Sequence, residues 1–158
     1  MARTFEKISY NELSKNINIT KEEYNNYKIP ERNTKHSAGY DFYLLEDLSL
    51  KPKEIKKIPT GIKANMNNDE VLMIYIRSSL GFKYNMRMCN QVGIIDSDYY
   101  NNKDNEGHIF ICVQNESDTT LTFSRGDKIV QGIFTKFLTV DSEKQIDAVR
   151  IGGIGSTN

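Results

Sequence analysis

The sequence predicts an all-β fold, and two observations support this prediction. From Ile29 onward, short segments rich in Ile, Val, Tyr, Phe and Thr alternate with clusters of Pro, Gly, Asn and Asp, which are typical of strands and turns respectively. No long helical pattern separates them, so we expect a sandwich, jelly roll or barrel. The eight predicted strands are Gly39–Leu44, Glu54–Pro59, Gly61–Asn65, Val71–Arg77, Met88–Ile95, His108–Asn115, Thr120–Phe123 and Lys128–Phe137.

The N-terminal segment, residues 1–27, has a different pattern and predicts two short helices. Ser9 with Glu12, and Thr20 with Glu23, have the spacing of a capping box, in which the side chain of each residue bonds the backbone N–H of the other. We therefore expect a short helical extension in front of the strands.

Length and charge restrict the class of protein. The chain of 158 residues fits a single domain, and its 21 Lys and Arg balance 21 Asp and Glu. This balance gives no indication of a nucleic-acid or membrane partner. The longest apolar runs, such as Val71–Ile76, are too short to cross a bilayer, and the N-terminus lacks the apolar core of a signal peptide. We expect a cytoplasmic protein.

Five polar or glycine-rich segments remain at the ends of the predicted strands, and together they have the composition of a nucleoside triphosphate site. Arginines can make bidentate bonds to phosphate oxygens, hydroxyls and amides add neutral donors, and glycines let backbone N–H groups approach an anion. Singly, each segment could be a strand end, a hairpin turn or a frayed terminus. They are Ser37–Asp41, Arg77–Gly81, Asn90–Tyr99, Arg125–Gln131 and Arg150–Thr157.

The third segment places two carboxylates close together. If the strand continues, Ile94, Asp96 and Asp98 share one face, and a carboxylate on an apolar face is costly to bury without a partner. Catalysis is one reason for such a pair. The alternative for Asp98 is a turn residue that bonds the local backbone.

In this order the five segments resemble the trimeric, all-β dUTPase family (deoxyuridine 5′-triphosphate nucleotidohydrolases). The most diagnostic part is Gly93–Tyr99, and the resemblance begins near Lys28. It implies a distorted jelly-roll or β-barrel subunit with a flexible C-terminal arm, residues 149–158. It also implies a homotrimer with shared active sites, in which three chains build each site and the middle motif, the phosphate motifs and the tail come from different subunits. The implied reaction is hydrolysis of dUTP to dUMP and pyrophosphate, which limits uracil incorporation into DNA and supplies dUMP for dTMP synthesis.

The resemblance also implies roles for single residues. Asp96 would activate the attacking water, with Asp98 as a supporting residue. Tyr99 would pack under the deoxyribose, Asn90 and the backbone near Gly93 would pair with uracil, and Ile154 would cover the base. Ile154 stands where the family usually has an aromatic residue, and Arg150 lies one residue closer to the glycine pair than usual.

For the phosphates, the resemblance implies a set of donors that includes Arg150 from the arm. Asp41 would support this network, unless it is only a turn residue. Mg²⁺ would be held by the substrate phosphates and water, without a direct protein ligand. The implied phosphate donors are Arg77, Ser78, Ser79, Gln131, Arg150, Ser156 and Thr157.

Two other functions compete with this one. A dCTP deaminase shares the fold and the second segment, but it needs a glutamate that acts on the base. A binding or regulatory module could retain the nucleotide fold without turnover. The long segment Tyr100–Glu106, called here the 100–106 loop, would then be a candidate surface for a protein partner; the alternative is a plain surface insertion.

Overall fold

The computed structural model describes residues 2–157; Met1 and Asn158, the outermost residues of the expected domain, lie outside them. Antiparallel strands dominate this part of the chain. The strands are β1 (Thr4–Lys7), β2 (Tyr40–Tyr43), β3 (Leu48–Leu50), β4 (Ile55–Pro59), β5 (Ile62–Asn65), β6 (Glu70–Ile76), β7 (Met86–Met88), β8 (Gly93–Asp96), β9 (Phe110–Asn115), β10 (Leu121–Phe123) and β11 (Lys128–Lys136). The helices are α1 (Tyr10–Ser14), α2 (Lys21–Asn26) and α3 (Ser78–Tyr84), with a 3₁₀ turn at Ser97–Tyr99.

The largest sheet has the strand order β2-β11-β6-β8. Strand β11 lies between β2 and β6, so that Gln131 is opposite Asp41 on one side and Tyr75 on the other. Gly132 allows this close packing, because a Cβ there would lie 3.0 Å from side-chain atoms of both Leu72 and Phe42. The sheet thus holds two of the polar segments in fixed register.

The remaining strands form a three-stranded sheet, β4-β9-β7, and two pairs, β1-β5 and β10-β3. Apolar side chains from all these layers form one core, which includes Phe42, Leu50, Leu72, Met86, Ile111 and Val113. The all-β prediction is confirmed, although within residues 2–157 the sheets do not close into a continuous barrel. In the same residues there is no helix with the length and hydropathy needed to cross a membrane.

The N-terminal segment contains the two expected helices and one strand that the sequence did not indicate. The capping box at Thr20 is complete, with both bonds to Glu23 present. The box at Ser9 is half formed: its hydroxyl accepts from the Glu12 N–H, but its own N–H donates to Glu106. The missed strand β1 pairs with β5 and ties the segment to the domain.

Two strand predictions need correction. The predicted strand Met88–Ile95 is two strands, β7 and β8, which belong to different sheets and are separated by a turn with a positive φ of 64° at Gln91. The segment after Arg77 forms helix α3, where the sequence suggested only a strand end. Serines, a glycine and an aromatic residue gave no clear helical pattern there.

His108 is fully buried in the core between β5 and β9. Its Nε2 accepts a 2.9 Å hydrogen bond from the N–H of Gly61, which identifies the neutral ring as the form that the fold holds. Burial, and to a smaller extent the nearby charge of Lys57, lower the pKa of His108 to about 4. Protonation would remove the acceptor and leave a buried charge.

We expect this histidine to make the fold sensitive to acid. Its folded pKa of about 4 lies below its ordinary value of 6.5, so the unfolded chain binds more protons between these values. Its contribution is complete above pH 6.5 and decreases by up to about 3 kcal/mol as the pH falls to 4. The free energy of unfolding, measured by urea titration across this range, should fall less steeply for His108→Gln, which keeps an acceptor but does not titrate. Equal slopes for the two proteins would contradict this assignment.

Candidate active site

Three of the five polar segments meet in one cleft of about 500 Å³, called here the cationic cleft. Ser37 and Gly39 precede β2, Arg77 follows β6, and Gln131 lies within β11. Its donors are a guanidinium, hydroxyls and an amide, which suit an anion. The cleft is lined by Asn33, Ser37, Ala38, Gly39, Asp41, Arg77, Ser78, Ser79, Gln131 and Ile133.

Asp41 orients the cations of this cleft. It is 5% exposed, and its carboxylate lies 3.0 Å from Nε of Arg77 and 3.4 Å from Nζ of Lys128. It also accepts a 2.9 Å bond from the amide of Asn33. A buried carboxylate needs such partners, and in return it fixes the guanidinium at the cleft. Asp41 is therefore more than the turn residue that was its alternative interpretation.

Gly39 lies directly against the side chain of Gln131. A Cβ at Gly39 would overlap Oε1 of Gln131, so glycine leaves room for this amide in its present position. The amide of Gln131 is thereby held beside Asp41, its cross-strand neighbour.

A second, smaller cleft of about 170 Å³, called here the aspartate cleft, contains Asp96 and Tyr99. Strand β8 ends at Asp96, and the chain turns into the 3₁₀ segment that contains Asp98. The prediction that Asp98 continues the strand face of Ile94 is therefore wrong. That face of the strand also does not point into the apolar core, because Ile94 is 56% exposed and the side chain of Asp96 is 54% exposed.

Tyr99 forms a fixed, flat wall of the aspartate cleft. It is 5% exposed, its hydroxyl donates to the carbonyl of His108 at 2.7 Å, and it accepts from Nδ2 of Asn105 at 2.9 Å. Burial raises the pKa of this tyrosine, so it stays neutral. A ring held at both its hydroxyl and its backbone can act as a steric barrier.

The arm reaches the aspartate cleft through Arg150. Its Nη2 bonds Asp96 and its Nε bonds Asp98, both at 2.7 Å, and the guanidinium lies 5.7 Å from the centre of the Tyr99 ring. The hydrogen bond with Asp98 is the main cause that raises the pKa of Arg150. Within this chain the arm lies over its own middle motif. That the two come from different subunits stays a prediction.

Other predicted residues lie in different places. Ile154 lines the aspartate cleft, but Ser156 bonds the carbonyl of Gly152 within the arm and Thr157 is exposed. Asn90 is exposed in the turn between β7 and β8, outside the residues that line either cleft. Gly93 packs on β6, where a Cβ would lie 3.2 Å from that of Ile74.

Sequence reasoning missed three residues that line the clefts. Asn33 and Ile133 belong to the cationic cleft, and Phe110 belongs to the aspartate cleft. Phe110 begins β9 and is half-buried, so an aromatic residue at a strand end was the available signal. Asn33 lies in a loop without any pattern that separates it from its polar neighbours.

Strand β6 separates the two clefts within the chain. Asp96 is paired with Val71 near the start of β6, whereas Arg77 follows its end. Six residues of extended chain correspond to roughly 20 Å. The two clefts therefore lie near opposite ends of β6 in one chain.

The donor sets of the clefts suit anions more than metal ions. In the part of the chain that the structure describes, no group of three or more His, Cys, Asp or Glu side chains is arranged to hold a metal. The carboxylates of Asp96 and Asp98 are already paired with Arg150.

The fold and the two clefts together define an all-β protein with the parts of a nucleotide site: a set of phosphate donors, a carboxylate and a buried tyrosine. A family model described as dUTPase matches residues 25–158. The chain belongs to the dUTPase family.

Individual relatives agree with this assignment. The chain is 48% identical over 140 residues to a deoxyuridine 5′-triphosphate nucleotidohydrolase of Lactococcus lactis, covering 88% of this chain and 93% of that protein. It is 35% identical over 128 residues to the deoxyuridine 5′-triphosphate nucleotidohydrolase of Blochmanniella floridana, covering 79% of this chain and 81% of that protein. The crystal structure of dUTPase from Streptococcus mutans superposes with a TM-score of 0.73 at 40% identity, covering 87% of this chain and 98% of that one.

The ion pairs of Asp41 lead to a prediction about stability. Asp41→Asn keeps the size of the side chain but leaves Arg77 and Lys128 without their anion, so we expect a loss of about 1–3 kcal/mol in the free energy of unfolding, measured by chemical denaturation. Asp69→Asn is the control, because Asp69 pairs with Lys136 at an exposed site, where ion pairs contribute little. A loss at Asp41 no larger than that at Asp69 would show that the Asp41 pairs do not stabilise the cleft.

Proposed function

We propose that this protein hydrolyses dUTP to dUMP and pyrophosphate, and that two chains build each site. The observation that carries the proposal is the convergence of Ser37–Asp41, Arg77–Ser79 and Gln131 on one anion-binding cleft. Family membership and the nucleotidohydrolase relatives support the same reaction. The reaction removes dUTP before it is used for DNA synthesis and supplies dUMP for dTMP synthesis. We also place the protein in the cytoplasm.

In the proposed mechanism, Asp96 orients a water for attack on the α-phosphorus. The water oxygen forms the new P–O bond, the bond from the α-phosphorus to the α,β-bridging oxygen breaks, and pyrophosphate leaves with that electron pair. The water proton passes to Asp96. An exposed carboxylate is a weak base, so most of its effect comes from holding the water in line with the leaving group. Asp98 supports this position through Arg150.

Selectivity would arise from Tyr99 and from the segment before Asp96. The fixed ring of Tyr99 leaves no room for a 2′-hydroxyl if the sugar packs on it. Asn90, with both a donor and an acceptor, and the backbone near Gly93 would pair with the uracil edge, and Ile154 would cover the base. Unpaired polar groups would reject cytosine, whose donor and acceptor pattern is reversed.

Phosphate contacts are assigned to both clefts. Arg77, Ser78, Ser79 and Gln131 would bind the phosphates directly, supported by Asp41. Arg150, Ser156 and Thr157 of the arm would reach the terminal phosphate. Mg²⁺, when bound to the triphosphate, neutralises part of its charge; this fits a cleft that offers cations and hydroxyls and no carboxylate cage.

The distance along β6 supports the homotrimer. Because Asp96 and Arg77 lie roughly 20 Å apart in one chain, a working site needs Asp96 from one subunit and Arg77 from another. A ring of three subunits with head-to-tail contacts would form three such sites. The 100–106 loop is also a candidate contact for a further protein partner, because Lys103 in this loop is exposed.

A nucleotide panel tests the reaction. With Mg²⁺ present, dUTP should release pyrophosphate at least about 100-fold faster than UTP, dTTP or dCTP, because the wrong sugar or base leaves buried groups unpaired or clashes. Release of pyrophosphate measures hydrolysis at the phosphates, and release of ammonia measures deamination of the base. Ammonia from dCTP would favour the deaminase, although no glutamate lines the aspartate cleft. Binding of dUTP without any product would favour the regulatory module.

Subunit mixing tests the shared site. Asp96→Asn and Arg77→Ala should each reduce kcat/KM by at least about 100-fold, while Asp96→Asn still binds dUTP. If sites combine two subunits, trimers reassembled from equal amounts of both variants should regain about a quarter of the wild-type activity, since each site draws its two residues independently. Mixtures as inactive as the separate variants would show that both residues act within one chain. Asp96→Asn mixed with itself is the control.

A further inference from the structure

The 100–106 loop is a built structure and not a loose insertion. Asn102 is buried, and its Oδ1 accepts from the backbone N–H groups of Asp104 at 3.0 Å and Asn105 at 3.2 Å. Its Nδ2 donates to the carbonyl of Tyr99 and to Oδ1 of Asn105, both at 2.8 Å. These bonds fix the directions in which Asp104 and Asn105 project.

The ends of the loop are anchored to the N-terminal segment. The carboxylate of Glu106 accepts from the N–H of Ser9 at 2.9 Å and from its hydroxyl at 2.6 Å. Tyr100 donates to Glu6 at 2.9 Å. Gly107, with a φ of 84°, closes the loop where a Cβ would lie 2.7 Å from the carbonyl oxygen of Tyr99.

The C-terminal arm docks on this loop through its glycine pair. Asp104 Oδ2 accepts a 2.9 Å hydrogen bond from the N–H of Gly153. A Cβ at Gly152 would overlap this same carboxylate, and a Cβ at Gly153 would lie 3.2 Å from Nδ2 of Asn105. Both glycines are buried. The side chains of Asp104 and Asn105 therefore lie directly against the backbone of the glycine pair.

The same loop also touches the aspartate cleft. Nδ2 of Asn105, which faces Gly153, donates to the hydroxyl of Tyr99 at 2.9 Å. Arg150, two residues before the glycine pair, bonds Asp96 and Asp98. One short loop thus contacts the arm on one side and the proposed sugar-binding ring on the other.

We propose that the 100–106 loop is the docking site of the C-terminal arm, with Asp104 and Asn105 as positioning residues that set Arg150 and Ile154 over the aspartate cleft. This inference rests on the proposed function for its effect on turnover, but the docking itself does not depend on it.

Limited trypsin digestion measures docking without substrate. Cleavage after Arg150 should be slow while the arm is docked, whereas cleavage after Lys144, which is exposed, serves as an internal reference. Asp104→Ala removes a charged acceptor, so the ratio of cleavage at Arg150 to that at Lys144 should rise about tenfold. Lys103→Ala, at the exposed neighbouring position, is the matched control and should leave the ratio unchanged.

Kinetics tests the positioning role. For Asp104→Ala we expect KM for dUTP to rise about tenfold with kcat changed less than about threefold, because an undocked arm must be ordered when the substrate binds. Asp104→Asn, which retains an acceptor without charge, should fall between Asp104→Ala and wild type. A KM equal to that of Lys103→Ala, with unchanged proteolysis, would overturn the proposal. A wild-type protein that is protected from trypsin but does not hydrolyse dUTP would refute the proposed function and leave the docking intact.

A double-mutant cycle separates docking from a general loss of structure. Gly152→Ala should undock the arm because its Cβ meets Asp104, and the double variant Gly152→Ala/Asp104→Ala should be no worse than either single variant. Additive effects of the two substitutions on the cleavage ratio would show that they act at separate places, and the proposal would fail.

Discussion

The register of strand β6 determines how the rest of the molecule can function. Hydrogen bonds to β11 and β8 fix this strand on both sides, so the residues at its two ends cannot approach each other. Arg77 leaves one end toward the cationic cleft, and Asp96 ends β8 beside the other. The stable sheet that supports both clefts also keeps them at separate ends of β6 within one chain. Association of subunits is the direct way to bring such groups together.

Two aspartates at these clefts have opposite environments, and the difference fits their tasks. Asp41 is buried between β2 and β11, where Arg77 and Lys128 compensate its charge. Its carboxylate is fully used in holding cations and is unsuited to proton transfer. The side chain of Asp96 is half exposed at the end of an edge strand, where a water molecule can reach it. Burial thus occupies one carboxylate with ion pairs and leaves the other open to solvent.

The sequence predicted local patterns well and longer-range placement poorly. Strands such as β4, β5 and β9 were recognised because alternating or β-branched residues are bounded by turn signals. β1 was missed because its partner β5 lies about 60 residues away, and pairing partners leave no local trace. The prediction of one strand through Asn90 was wrong. The residues before and after Asn90 both have strand-like composition, and only their pairing in different sheets shows that they are two strands.

The same limit applies to the site. Arg77, Ser79, Gln131 and Asp41 were identified from segment composition, and the structure brings them together. The contacts of Asp104 with the glycine pair were not predictable, because the loop and the arm are separated by about 50 residues. A polar loop with Asn and Asp residues is typical of exposed turns, and its composition does not reveal that the side chains bind the chain's own tail.

The position of Arg150 connects the arm to both halves of the proposed chemistry. Its Nε and Nη2 hold Asp98 and Asp96, and among the described residues Nη1 has no hydrogen-bond partner, so it can donate to a phosphate oxygen while the other bonds persist. Arg150 contacts only Oδ2 of Asp96, which leaves Oδ1 to accept from water. The bond from Arg150 also fixes the direction of this carboxylate. In the proposed mechanism the carboxylate contributes chiefly by position, so closure of the arm would complete the base and the phosphate clamp in one step.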